Sequence, residues 1–146
     1  MAKVVGIDHL AIRVSDFDIS RRFYDRLLTF LGFVREWEFG RTVGWNNGVT
    51  MWWITEADPG AGPHRTGDVG YHHYAFELGA KAEVDEVGAF LEREGVTVVD
   101  PPAAYPSYGE GYYAVFFLDP DGIKLEGMKY GELTAKRKRK SLKKKG

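Results

Sequence analysis

The feature that most constrains this chain is a repeat. His9-Leu-Ala-Ile-Arg-Val and His73-Tyr-Ala-Phe-Glu-Leu each place a histidine first, alanine two positions later, and large apolar residues three and five positions later. Each run opens the same predicted order of elements: strand, helix, strand, strand, strand. Self-similarity at this scale implies a duplicated structural unit, here a βαβββ module used twice.

In the first round, residues 4–15 are β-branched and partly alternating and read as a strand. Asp16 and Asp18 are candidate caps for a helix over residues 19–31. Ile19, Phe23, Leu27, Leu28 and Leu31 fall at helical spacing, and Gly32 stops the helix. Strands are expected over 33–39 and 41–45. Asn46-Asn47-Gly48 is a hairpin signal before a strand over 49–55. Residues 56–70 are rich in Gly and Pro and connect the two halves.

The second round runs through a strand at 71–79, a helix at 81–93 and a short strand at 96–99. A loop over 100–111 contains Pro101, Pro102 and Pro106. Strands at 112–118 and 123–128 then flank the turn Asp119-Pro120-Asp121-Gly122. The expected fold is α+β, with paired βαβββ modules forming curled mixed sheets around a cleft. One domain over 4–130 comprises module one, 4–57, and module two, 70–130. A basic tail follows over 131–146.

Composition fits that picture. A chain of 146 residues that is 44% apolar buries one good core. It has no cysteine, which excludes disulfides, thiolate chemistry and cysteine-held zinc. No apolar run is long enough to span a membrane, and the first residues lack the apolar core of a signal peptide, so a cytoplasmic location is expected. Eight of the 20 Lys and Arg lie in residues 136–145, leaving 12 bases against 21 acids elsewhere, a body of about −9. That tail is the one place from which nucleic acid binding is conceivable. No basic patch with interleaved aromatics supports it elsewhere.

Alternation along a strand puts residues i, i+2 and i+4 on one face. His9, Ala11 and Arg13 therefore oppose Leu10, Ile12 and Val14, and His73, Ala75 and Glu77 oppose Tyr74, Phe76 and Leu78. Lys124, Glu126 and Met128 oppose Ile123 and Leu125. A carboxylate in the strand-like run around Glu126 costs free energy unless a cation or hydrogen bonds compensate it. Two imidazoles at equivalent places in a repeat, with that carboxylate, form the two-His-one-carboxylate set that suits Fe, Mn, Zn or Ni. The expected metal ligands are His9, His73 and Glu126. His72 is expected to face away from His73, and His64 to lie on the surface.

The same faces nominate Arg13, Trp52, Glu77 and Lys124 as pocket residues, with Glu77 the candidate base. Tyr105 and Tyr108 in the proline-rich loop are candidate lid residues. In the strand before the turn, counting by twos leaves Tyr112, Ala114 and Phe116, or Tyr113, Val115 and Phe117.

His9 in HLAIRV, His73 in HYAFEL and Glu126 in DPDGIKLEG, set in paired βαβββ modules, resemble the vicinal oxygen chelate superfamily. That superfamily includes glyoxalase I, extradiol dioxygenases, fosfomycin-resistance proteins and bleomycin-binding proteins. The resemblance covers about residues 4–130. It implies one divalent ion that chelates vicinal oxygens of a small-molecule substrate and acts as a Lewis acid. A lyase, a dioxygenase and a transferase all fall within it. It further implies a homodimer and favours Tyr112 and Phe116 as pocket residues. Aligning Gly48 with Gly122 sets Trp52 opposite Glu126, where glyoxalase I carries a carboxylate, so glyoxalase I activity is not expected. The other class left open is a metal-independent binder of the bleomycin-resistance type.

Overall fold

The computed structural model describes residues 1–136, and the chain divides into two compact units, 1–64 and from 65 onward. The last ten residues of the expected basic tail lie outside the described residues. Unit one runs β1 (His9–Val14), α1 (Phe17–Phe30), β2 (Val34–Phe39), β3 (Thr42–Asn46) and β4 (Met51–Glu56). Unit two runs β5 (Tyr74–Glu77), α2 (Lys81–Arg93), β6 (Val98–Ala104), a short 3-10 turn (Pro106–Tyr108), β7 (Tyr113–Leu118) and β8 (Lys124–Lys129). Each unit is the expected βαβββ module.

Each sheet has four strands in equivalent orders, β1-β4-β3-β2 and β5-β8-β7-β6. The first strand pairs parallel with the fourth, and the other neighbours are antiparallel. A helix between the first two strands makes that parallel pairing possible, since parallel neighbours need a long crossover.

The helix of unit one starts two residues earlier than its apolar spacing suggested. Asp16 is the N-cap, and its carboxylate accepts from the Ile19 amide at 2.9 Å. The buried stripe is accordingly Phe17, Ser20, Tyr24, Leu27 and Leu28, while Ile19 is largely exposed. In unit two, α2 buries Val84, Val87, Phe90 and Leu91, as the spacing predicts. No side chain caps it from the first position, which is Ala80; Glu83 instead accepts from the amides of Gly79 and Ala80.

Two strand boundaries differ from expectation for a shared reason. Strand β1 pairs only with β4, which begins at Met51 opposite His9, so the last backbone bond toward the N-terminus is from the Met51 amide to the Asp8 carbonyl, and residues 4–8 lie exposed. Strand β6 extends through Pro101 and Pro102, which the sequence reading assigned to a loop. It is an edge strand with two register shifts, and both conditions admit residues that lack an amide donor.

The cores follow the alternation. In β1, Ile12 and Val14 are buried, whereas His9, Ala11 and Arg13 are exposed. In unit two, Ala114, Phe116 and Met128 form a cluster with Tyr105, Tyr112 and Tyr130 packed against it. The buried Asp119 carboxylate accepts from the amides of Asp121 and Ile123, and Gly122 takes a positive φ of 77°, which closes the β7–β8 hairpin.

Candidate metal centre

Unit two carries the chemistry-bearing cluster. Glu126, in the middle of β8, is 1% exposed, an unusual burial for a carboxylate. Both of its oxygens are engaged. The Nε2 of His73 lies 2.8 Å from Oε2, and the hydroxyl of Tyr112 donates to Oε1 at 2.5 Å. Two polar partners at such distances explain how the carboxylate is tolerated among Ala114, Phe116 and Met128.

The register explains the meeting. Strands β5 and β8 pair Ala75 with Glu126, and His73 stands two residues ahead of Ala75. Its ring packs edge-on to Phe116, with centroids 6.0 Å apart. Strand β5 begins only at Tyr74, so the alternation that would send His72 to the far face does not apply to it. Instead Nδ1 of His72 lies 2.7 Å from Nδ1 of His73, and the rings meet edge to face. His72 is exposed, as expected, but it contacts His73 rather than facing away.

An aromatic wall surrounds the pair. Tyr105 and Tyr108 stack with centroids 5.6 Å apart, Tyr105 stands edge-on to Phe116, and Tyr112 meets both Tyr108 and Tyr130 edge to face. Lys124 places its ammonium 4.5 Å from the Phe116 ring centre. Burial first, and the hydrogen bond to Glu126 second, push the Tyr112 phenol well above its usual range. Burial likewise raises Tyr105. Of the two alternating sets open in β7, the one containing Tyr112 and Phe116 lies on the Glu126 side. Glu77 is exposed, in register with Met128 on the same strand as Ala75.

Just beyond this wall the chain crosses itself. A Cβ on Gly131 would sit 2.1 Å from the Glu110 carbonyl oxygen, and one on Gly111 would sit 2.7 Å from Gly131 Cα. Only glycines permit this contact between the lead into β7 and the exit from β8.

Unit one presents a different face. His9 is half exposed, with Nδ1 2.8 Å from Asp8. Arg13 pairs with Asp58 and reaches the Glu56 carbonyl. Trp52 is not on this face: it is 1% exposed, in register with Leu10 and Trp45, and packs on Tyr24 of α1. The residue in register with Ala11, as Glu126 is with Ala75, is Trp53.

The alignment through Gly48 and Gly122 misleads because four residues separate β3 from β4 while five separate β7 from β8. A slip of one residue exchanges the two faces of a strand. Trp53 stacks on Trp37 at 5.1 Å and adjoins Phe39. A Cβ on Gly44 would meet the Trp53 ring at 2.6 Å, so the ring lies directly over the backbone of β3. Two adjacent tryptophans give no periodicity to choose between, which is why sequence reasoning missed Trp53. Among the described residues, no group of three or more His, Cys, Asp and Glu is placed to hold a metal ion.

Comparison with known proteins gives the arrangement its context. Residues 6–126 match the model of the glyoxalase/bleomycin resistance protein/dioxygenase superfamily. The chain belongs to that superfamily. Among curated relatives, the uncharacterized protein YqjT of Bacillus subtilis is 34% identical over 121 residues, covering 81% of this chain and 94% of that protein. The glutathione transferase FosA of Serratia marcescens is 30% identical over 136 residues, covering 90% of this chain and 84% of that protein. Among solved structures, a lactoylglutathione lyase from Agrobacterium tumefaciens superposes with a TM-score of 0.66 at 25% identity, covering 88% of this chain and 96% of that one. A superfamily domain from Frankia sp. EAN1pec reaches 0.73 at 24% identity, covering 89% and 95%, and shows the fold. No helix among the described residues is long and apolar enough to cross a membrane.

Proposed function

We propose that this protein is a metalloenzyme that holds one divalent ion through His73, Glu126 and His9, and acts on a small oxygen-rich substrate. The observation that carries this reading is the buried Glu126 carboxylate with an imidazole nitrogen 2.8 Å from one of its oxygens. A nitrogen and an oxygen donor already adjacent in a water-poor, aromatic-walled setting suit Fe, Mn, Zn or Ni. His9 completes the set. It stands half exposed on the open face of its own unit, available to a second copy of the chain in a homodimer.

The bound ion supplies Lewis-acid stabilisation of developing oxyanion charge. The chain's own residues do the rest. Lys124, held over Phe116, offers a positive charge to an anionic oxygen of the substrate. Tyr105 and Tyr108 form a stacked rim that excludes water. Arg13 and Glu77 are two further exposed charged groups, Arg13 as an anion contact and Glu77 as the candidate base. The Trp53–Trp37 stack, in place of the expected Trp52, gives unit one an apolar shelf for the substrate's carbon skeleton. Because Trp53 stands where unit two carries a carboxylate, the base and fourth ligand of glyoxalase I have no counterpart, and a transferase or dioxygenase reaction fits better than that lyase.

One observation favours a second reading. His73, Glu126 and Tyr112 satisfy one another, as a purely structural knot in a metal-independent small-molecule binder would. Elemental analysis separates the two. One divalent ion per chain, lost in both His73→Ala and Glu126→Ala, supports the metalloenzyme. No ion after reconstitution with Mn, Fe, Ni and Zn leaves the binder.

A further inference from the structure

Resting on that metal reading, we propose that Tyr112 is a positioning residue that restricts Glu126 to a single donor oxygen. The phenol hydroxyl holds Oε1, so Oε2, the oxygen that faces His73, is the one left to an ion. A carboxylate with both oxygens unclaimed binds an ion through either or both of them. A carboxylate with one oxygen hydrogen-bonded to a fixed donor presents the other in a set direction. The position that a second Glu126 oxygen would occupy then stays open for a substrate oxygen.

The donor is fixed from three sides. The Tyr112 ring meets Tyr108 edge to face at 5.6 Å and Tyr130 at 5.4 Å. The backbone just before it is held by the close passage of Gly111 against Gly131. The hydroxyl is thereby committed to Glu126, and what Tyr112 offers a substrate is its ring.

The test is Tyr112→Phe, which keeps the ring and removes the hydroxyl, with Tyr113→Phe as a control that takes away a neighbouring hydroxyl bonded to Asp85 rather than to Glu126. Binding of Mn2+ alone is followed by the electron paramagnetic resonance signal of the free ion, and metal-free crystal structures of wild type and variant are compared. The expected result is unchanged stoichiometry with a dissociation constant about 10–100-fold weaker in Tyr112→Phe. Glu126 is also turned from its wild-type orientation, and Tyr113→Phe matches wild type. Equal affinity in Tyr112→Phe and wild type, or equal weakening in both variants, overturns the positioning role while leaving the metal reading intact. If wild type takes up neither Mn2+ nor another divalent ion, the metal reading fails. The metal-free structures then still decide whether Tyr112 orients Glu126: a carboxylate unmoved in the variant overturns it.

Discussion

The two units share one scaffold and differ most where their strands correspond in register. In unit two, Glu126 lies beside Phe116 across β8 and β7; in unit one, Trp53 lies beside Gly44 across β4 and β3. A small acid next to a large ring has been exchanged for a large ring over no side chain at all. Only unit two keeps a carboxylate at this position. Duplication therefore preserves the backbone, and the contrast between the units is concentrated in a single pair of facing positions. One unit sets a buried carboxylate there and the other a stacked tryptophan.

The largest effect expected from breaking this contrast comes from Glu126→Ala. It removes the acceptor shared by His73 and Tyr112 and should abolish divalent-ion uptake in a dialysis and elemental-analysis assay. Mixing unfolded His9→Ala and Glu126→Ala chains and refolding them together sharpens the point. If His9 is given to a second copy, each hybrid dimer regains one of its two sites, and random pairing brings the mixture to about a quarter of wild-type uptake, whereas ligands drawn from one chain give no recovery.

Next in size is the tryptophan pair. Trp52→Ala should cost about 3–5 kcal/mol in denaturant unfolding through the cavity left against Tyr24. Trp53→Ala, half-buried on the open face, should cost less and leave metal uptake unchanged. Gly44→Ala forces a methyl group into the Trp53 ring and should cost about 1–3 kcal/mol as overpacking. If it is neutral, the ring is not held over β3.

The smallest effect concerns pH. Arg41 donates twice to Glu56 and holds that carboxyl below its usual value. The direction follows from linkage: a carboxyl lowered on folding adds stability above its unfolded value, near 4.5, and that contribution fades as pH falls through the folded value. Wild type and Arg41→Gln should thus differ slightly in melting temperature at pH 7 and converge in acid. The pair is exposed, so salt should narrow the gap.

The architecture was legible because duplication and alternation are carried by apolar residues, which reveal their faces directly. The faces of strand β1 and the whole of helix α2 needed nothing more. What stayed hidden depended on lengths and partners rather than patterns. The one-residue difference between the two hairpins moved Trp52 into the core and brought Trp53 out. Pro101 and Pro102 entered a strand because that strand lies at an edge, a fact about neighbours. His72 met His73 because the strand begins at Tyr74, three residues later than its composition suggests. For the site, the sequence singled out His73 and Glu126, and the structure brings them together. The hydroxyl that completes their pairing comes from Tyr112, which sequence nominated for the pocket and not for the carboxylate.

The crossing of Gly111 and Gly131 bears on how the protein is handled in the laboratory. Thr134 lies close by, near Gly109, so the chain leaves the described structure alongside the rim that carries Tyr108 and Tyr112. A partner fused after residue 136 is thus tethered beside the wall of the candidate centre, while one placed before Met1 hangs from an exposed segment that leads into His9. A tag at either end therefore comes close to a proposed ligand, the N-terminal one to His9 and the C-terminal one to the wall around Glu126, so loading experiments call for the tag-free chain.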